Sequence, residues 1–259
     1  MVELNKISND FRDVIAQIMI FKSNESLFID VFRNKEKDKI EKYKKEKRPI
    51  EHTIHYENIV NKQMEVHIKS FPKLISSMSL IYGVTHFEVF VTDTVLFLLN
   101  KFPESLKNKN KNLTYEEILS FKSINNLKTR IIQKEVETIV YGGIKEQLEY
   151  LKKQFKLKLD YMSLEESIEV KQSIYFQELI EIYSARNLII HNNSIVNNLY
   201  LKSNKNSKYK LGEKLNITND YVTHCMYVLS MASQAIHNAI NNKLNKKTPP
   251  RNPARQNPS

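Results

Sequence analysis

Residues 72–99, PKLISSMSLIYGVTHFEVFVTDTVLFLL, decide the fold. Leu74, Ile75, Met78, Ile81, Tyr82, Val84, Phe87, Val89, Phe90, Leu96 and Leu99 recur at three- and four-residue spacing, the period of an α-helix. Pro72 suits the first turn, where an amide hydrogen has no partner to lose. The apolar positions go nearly all round the helix. Such a helix belongs at the centre of a bundle or in an oligomer interface.

The same period extends in both directions. Leu4, Ile7, Phe11, Val14, Ile15 and Ile18 mark a first helix, and Leu27, Phe28, Val31 and Phe32 continue it past a polar break at residues 22–24. Arg33 to Lys47 is charged apart from Ile40 and Tyr43, so it reads as a solvated helical extension or a connector ending at Pro49. A further helical segment covers 50–68. Beyond a polar loop at 103–112, Thr114 and Glu117 have the spacing of a capping box, as do Ser163 and Glu166. Helices are expected at about 126–141, stopped by Gly142-Gly143, at 144–155, from 163 to His191, and at 220–244, with irregular chain at 197–215. The expectation is an all-α protein. Its organisation reads as an N-terminal helical extension at 1–70, a helical bundle at 71–245 and a disordered, basic, proline-rich tail at 246–259.

Composition excludes several functions. The 259 residues contain four glycines, one cysteine and no tryptophan. Glycine-rich phosphate loops and dinucleotide fingerprints need small residues where backbone amides approach a phosphate, so nucleotide enzymes of those two kinds are excluded. A single Cys225 forms no internal disulfide, and no early segment has the layout of a secretory signal; the expected compartment is the cytoplasm. The most apolar segment, 87–99, carries Glu88 and Asp93 and is shorter than the ~20 residues a bilayer requires, so no membrane association is expected. Forty Lys plus Arg against 29 Asp plus Glu leave a net charge of +11, which favours a polyanionic partner such as nucleic acid. AU-rich codons would also produce this abundance of Lys, Asn and Ile.

Seven histidines are present, at 52, 55, 67, 86, 191, 224 and 237. None belongs to a zinc motif: His52 and His55 share a helix face, but no further His or Cys lies at ligand spacing. No metal or other cofactor is expected. Cys225 lies on the apolar face of the last helix, where a small buried thiol is the ordinary case.

The segment Tyr183-Ser-Ala-Arg186-Asn187-Leu-Ile-Ile-His191-Asn192-Asn193 is different. Arg186 is a cation among apolar Ile182 and Leu188 to Ile190, and a buried charge needs a partner or a function. One reading has Arg186 reaching a carboxylate such as Glu181 or Asp220 while His191 caps the helix end. The other is chemical. A guanidinium matches a phosphate and stabilises the charge that builds up as a phosphodiester is attacked, and an imidazole moves the proton of a ribose 2′-hydroxyl or of the leaving oxygen at neutral pH. Five helical positions turn the chain by ~140° and advance it ~7.5 Å, so one regular helix aims the two side chains differently. Two chains meeting about a two-fold axis would bring two such pairs into one cleft.

Arg186-Asn187-x-x-x-His191 near a helix end in an all-α chain resembles the HEPN superfamily, whose motif is Arg, four to six residues, then His. The stretch from Ser184 to Asn197 is similar to the larger bacterial members, including the RiboL-PSP type, and the similarity spans about residues 70–242. The resemblance implies a helical bundle of HEPN type with additional N-terminal helices, and a homodimer with paired motifs. It implies metal-independent endoribonuclease activity used in toxin, anti-phage defence or stress systems, with RNA as partner and an antitoxin or defence-system protein as a further one. By carry-over, Arg186 and His191 are catalytic and Asn187 orients the phosphate, with Asn192, Glu88 and Asp93 as supporting or RNA-binding positions. A tyrosine found two places after the histidine in nucleotidyltransferase-regulated members is Asn193 here. A non-catalytic RNA-binding or assembly module with the same fold is the alternative.

Overall fold

The computed structural model describes residues 2–45, 50–107, 113–159 and 169–246. Of these, 83% are helical, and no strand forms among them; the protein is all-α. The helices are α1 (Val2–Ser23), α2 (Glu25–Lys45), α3 (Ile50–Lys101), α4 (Tyr115–Leu119), α5 (Ile124–Val140), α6 (Gly143–Phe155), α7 (Glu169–Asn192), α8 (Asn198–Ser203) and α9 (Asn219–Lys246). A 3-10 turn at Pro103–Leu106 follows α3.

Most of these ends are set locally. Thr114 accepts the amide of Glu117 at 3.1 Å while the Glu117 carboxylate accepts the amide of Thr114 at 3.0 Å, the reciprocal cap expected from their spacing. Gly143, at φ +82°, supplies the left-handed residue that joins α5 to α6. The expected capping box at 163–166 lies outside the described residues, as does the expected disordered tail at 246–259 except for Lys246, which ends the last helix. The charged segment after residue 33 is helical as far as Lys45, and Ile40 within it is buried.

The chain departs from expectation at three places. α3 runs unbroken for 52 residues with Pro72 inside it and passes through residue 70 without a junction. Proline removes one amide donor, leaving the carbonyl of Ile68 without its helical partner. Residues 69–73 are at least partly exposed, so water can serve that carbonyl. Next, the apolar stretch extends beyond 87–99: Ile68–Lys101 is, by length and composition only, long and apolar enough to cross a membrane, a test that the core helix of a bundle also passes. Half of its most apolar window is buried inside the protein. Lastly, α8 forms within the segment expected to be irregular. It is six residues long and is capped by the preceding Asn197, whose side chain accepts the amide of Tyr200 at 2.9 Å.

The chain divides into two compact units, neither contiguous in sequence. The first comprises residues 1–11, 87–180 and 230–259 and the second 12–86 and 181–229. In the first, Phe11, Phe87 and Phe90 form an aromatic cluster with ring centroids 5.4–5.8 Å apart. His237 lies between Ser8 Oγ at 2.6 Å and Asn241 Nδ2 at 2.7 Å, a histidine satisfied within the fold. Pairing matters there, because a buried polar group without a partner is costly.

The second unit packs the second half of α1, α2, the first part of α3, the end of α7, α8 and the start of α9. Gly83 permits a close approach: a Cβ there would stand 2.5 Å from Met226 Cε and 3.5 Å from Ile18 Cδ1. The buried ammonium of Lys22 donates to Ser76 Oγ at 2.7 Å and pairs with Glu25 at 3.4 Å, as a charge taken out of water requires. The apolar residues of α3 do not all find cover. Leu74, Met78, Tyr82, Val89 and Leu96 remain exposed, each four or seven positions from the next and hence on one side of the helix.

Candidate functional site

The end of α7 is fixed by the turn that follows it. Asn193 and Ser194 adopt left-handed geometry, at φ 48° and 63°, and the amide of Ser194 reaches back to the carbonyl of Leu188 at 2.9 Å. This bond spans six positions and folds the chain back over the last turn of the helix, so that the carbonyl of Leu188 gains a donor from beyond the helix end. Asn192 Nδ2 donates to the carbonyl of Ile195 at 2.6 Å, so that side chain closes the turn.

Arg186 and His191 both lie on α7 itself, five positions apart on regular helix. His191 is exposed and Arg186 is partly buried. The guanidinium donates through Nη1 to Asn187 Oδ1 at 3.0 Å and sits 6.0 Å from the centre of the Tyr183 ring. The Asn187 side chain is thus an acceptor for the arginine fork.

One turn earlier, Glu181 is the hub of a polar network. Its Oε1 accepts the hydroxyl of Tyr200 on α8 at 2.9 Å and its Oε2 that of Tyr221 on α9 at 2.8 Å. Burial, and then the neighbouring Glu181 charge, push the Tyr200 phenol up. Tyr221 rises through burial first, followed by Cys225 and Glu181. Both tyrosines stay protonated donors, and three helices are tied together just before the motif. Asp220, the other carboxylate considered for Arg186, is exposed in the first turn of α9, where an acid complements the helix dipole.

Glu88 and Asp93 are part of the first unit, whereas Arg186, Asn187, His191 and Asn192 are part of the second. The carbonyl of Glu88 accepts Thr92 Oγ1 at 2.7 Å. Burial and then repulsion from Asp10 raise the Asp93 carboxyl above the usual range.

No three His, Cys, Asp or Glu side chains gather in a way that would hold a metal ion among the described residues. The side chains of His52, His55 and His67 are outside that description. Sequence reasoning missed Tyr200 and Tyr221, which lie 19 and 40 positions from Glu181; nothing in local spacing marks such pairs. Comparison with protein-family models, curated proteins and solved structures found no match, so the resemblance at Arg186 to His191 rests on the residues themselves.

Proposed function

We propose that the chain is a metal-independent endoribonuclease of the HEPN kind, acting in a toxin, anti-phage defence or stress system. The observation that carries this reading is the placement of Arg186 and His191 at the solvent-facing end of α7, with Asn187 already gripping the guanidinium. RNA brings its own nucleophile. His191 takes the proton of the 2′-hydroxyl, or returns one to the departing 5′-oxygen, while the Arg186 fork holds the non-bridging oxygens as negative charge grows on them. The 2′-oxygen forms a bond to phosphorus, the bond to the 5′-oxygen breaks, and the products are a 2′,3′-cyclic phosphate and a free 5′-hydroxyl.

A homodimer is part of the proposal. One chain offers a single cation and a single imidazole ~140° apart around the helix, and a two-fold axis supplies the second pair that lets one group act as base and the other as acid. Cytoplasmic action on RNA, without a cofactor, completes the reading.

The test is cleavage of unstructured RNA in excess chelator by wild type, Arg186→Ala and His191→Ala. Loss of cyclic-phosphate products in both variants, with melting temperatures near wild type, is the expected result. Undiminished cleavage by both folded variants would discard the site. Salt-sensitive RNA binding with no cleavage by wild type would favour the non-catalytic module instead.

A further inference from the structure

Immediately after the motif turn the charge balance of the chain changes. Residues 202–214, KSNKNSKYKLGEK, hold five lysines against one glutamate, compared with 40 basic and 29 acidic residues in the whole chain. All of Lys202, Lys205, Lys208, Lys210 and Lys214 are exposed. The carboxylate of Glu213 accepts the backbone amide of Lys210 at 2.8 Å. No ion pair joins any of the five lysines to a carboxylate among the described residues.

The segment is also built into the fold. Buried Val196, Tyr200, Asn204, Leu215 and Ile217 anchor it. Backbone bonds stitch it to the turn after His191: Val196 N to Glu213 O at 2.8 Å, Gly212 N to Val196 O at 2.9 Å, and Leu215 N to Ser194 O at 2.8 Å. Gly212, at φ +82°, makes the reversal this pairing needs. The cations are thus carried by an ordered ledge whose root is three residues from His191.

We infer that this ledge docks the phosphate backbone of single-stranded RNA and feeds it to the Arg186 and His191 site. The inference rests on the proposed ribonuclease reading for its choice of RNA. Lysine is a strongly hydrated, flexible point charge, suited to positioning a polyanion without reading its sequence. The groups beside and between the lysines favour a single strand over a duplex. Leu199 and Leu211 are exposed, and the Tyr209 ring, beneath the Lys208 ammonium at 5.4 Å, is partly exposed. Unstacked bases can rest on such surfaces, whereas a duplex keeps its bases inside.

The experiment uses the full chain and a fluorescent 2′-O-methyl oligonucleotide longer than the ~4–16 nucleotides a single-strand groove holds. It has no 2′-hydroxyl, so binding is read without cleavage. Replacing Lys205, Lys208 and Lys210 together by Gln is expected to weaken binding about ten-fold near ~0.1 M salt and to lower the slope of log K against log salt by about 2. A control triple, Lys145→Gln, Lys152→Gln and Lys158→Gln, makes the same charge change at other exposed sites and is expected to bind within about two-fold of wild type. Melting curves confirm that both triples fold. Equal losses in the two triples, or none in the first, would overturn the ledge, and equal affinity for a duplex of the same length would overturn its preference for a single strand. Cleavage of unmodified RNA separates the two proposals. A wild type that cleaves nothing yet binds through the ledge removes the nuclease reading alone. Cleavage with kcat/KM unchanged in the first triple removes the ledge alone.

Discussion

Tyr221 donates its phenol hydrogen to Oε2 of Glu181 at 2.8 Å, joining α9 to α7 one turn before Arg186. Tyr200 takes the other carboxylate oxygen at 2.9 Å, so the two tyrosines hold one charge between them. Hydrogen bonds to an ionised, partly buried acceptor are among the stronger ones a fold contains.

Tyr221→Phe is therefore expected to cost about 1.5–3 kcal/mol in urea unfolding at neutral pH. The pH dependence has a definite sign. The folded pKa of Tyr221 is raised above its ordinary value near 10, so its contribution is fully present below about pH 10 and is lost as pH rises toward the folded value. Melting temperatures of wild type and variant should converge above about pH 10. A constant gap across that range would show that the hydroxyl is not the group responsible.

Asp93 works in the opposite sense for a native protein at neutral pH. Burial and then Asp10 raise its folded pKa, so the stability linked to its protonated form is present below about pH 3.8 and is lost as pH climbs through the folded pKa. Asp93→Asn is expected to melt about a degree higher than wild type at pH 7, with the advantage vanishing near pH 4. Thermal melts at the two pH values check this, and a variant less stable at pH 7 would contradict it.

Gly83 tests the packing of α3 against α9. A Cβ there stands 2.5 Å from Met226 Cε and 2.6 Å from its Sδ, and Met226 is fully buried. Gly83→Val is expected to lose about 1–3 kcal/mol through overpacking. Combining it with Met226→Ala should cost less than the sum of the two single changes, because the smaller side chain frees the space that valine needs. Strict additivity in a double-mutant cycle would show that the two positions do not compete.

Arg186→Lys keeps the charge and removes the fork. If the arginine embraces two oxygens of the scissile phosphate, the variant should cleave RNA about 100-fold or more slowly while binding the 2′-O-methyl strand within a few-fold of wild type. Single-turnover cleavage and fluorescence anisotropy measure the two quantities separately. A variant that cleaves at the wild-type rate would show that bidentate geometry is not used.

Much of the fold was legible because helical information is local. The three- and four-residue spacing at Leu74, Ile75 and Met78, the Thr114 and Glu117 cap, and the glycines at 142 and 143 each act within a few positions of the chain. They mark helices without reference to anything distant. Pro72 misled for the same reason: a local helix-start signal says nothing about whether packing on both sides holds a helix together across it. The asparagine cap of α8 was equally local, but six residues give too little periodicity to read.

The candidate site divides in the same way. Sequence by itself determined that an arginine and a histidine stand five positions apart near a helix end, and that lysines crowd the segment beyond, since both are properties of neighbours along the chain. Only the tertiary structure decided that Glu181 belongs to Tyr200 and Tyr221, that Asn192 closes a turn, and that the lysine segment is stitched to the residues following His191. Those pairings join residues up to 40 positions apart. They are fixed by which buried polar groups can satisfy one another once the helices pack, a question that no stretch of sequence poses alone.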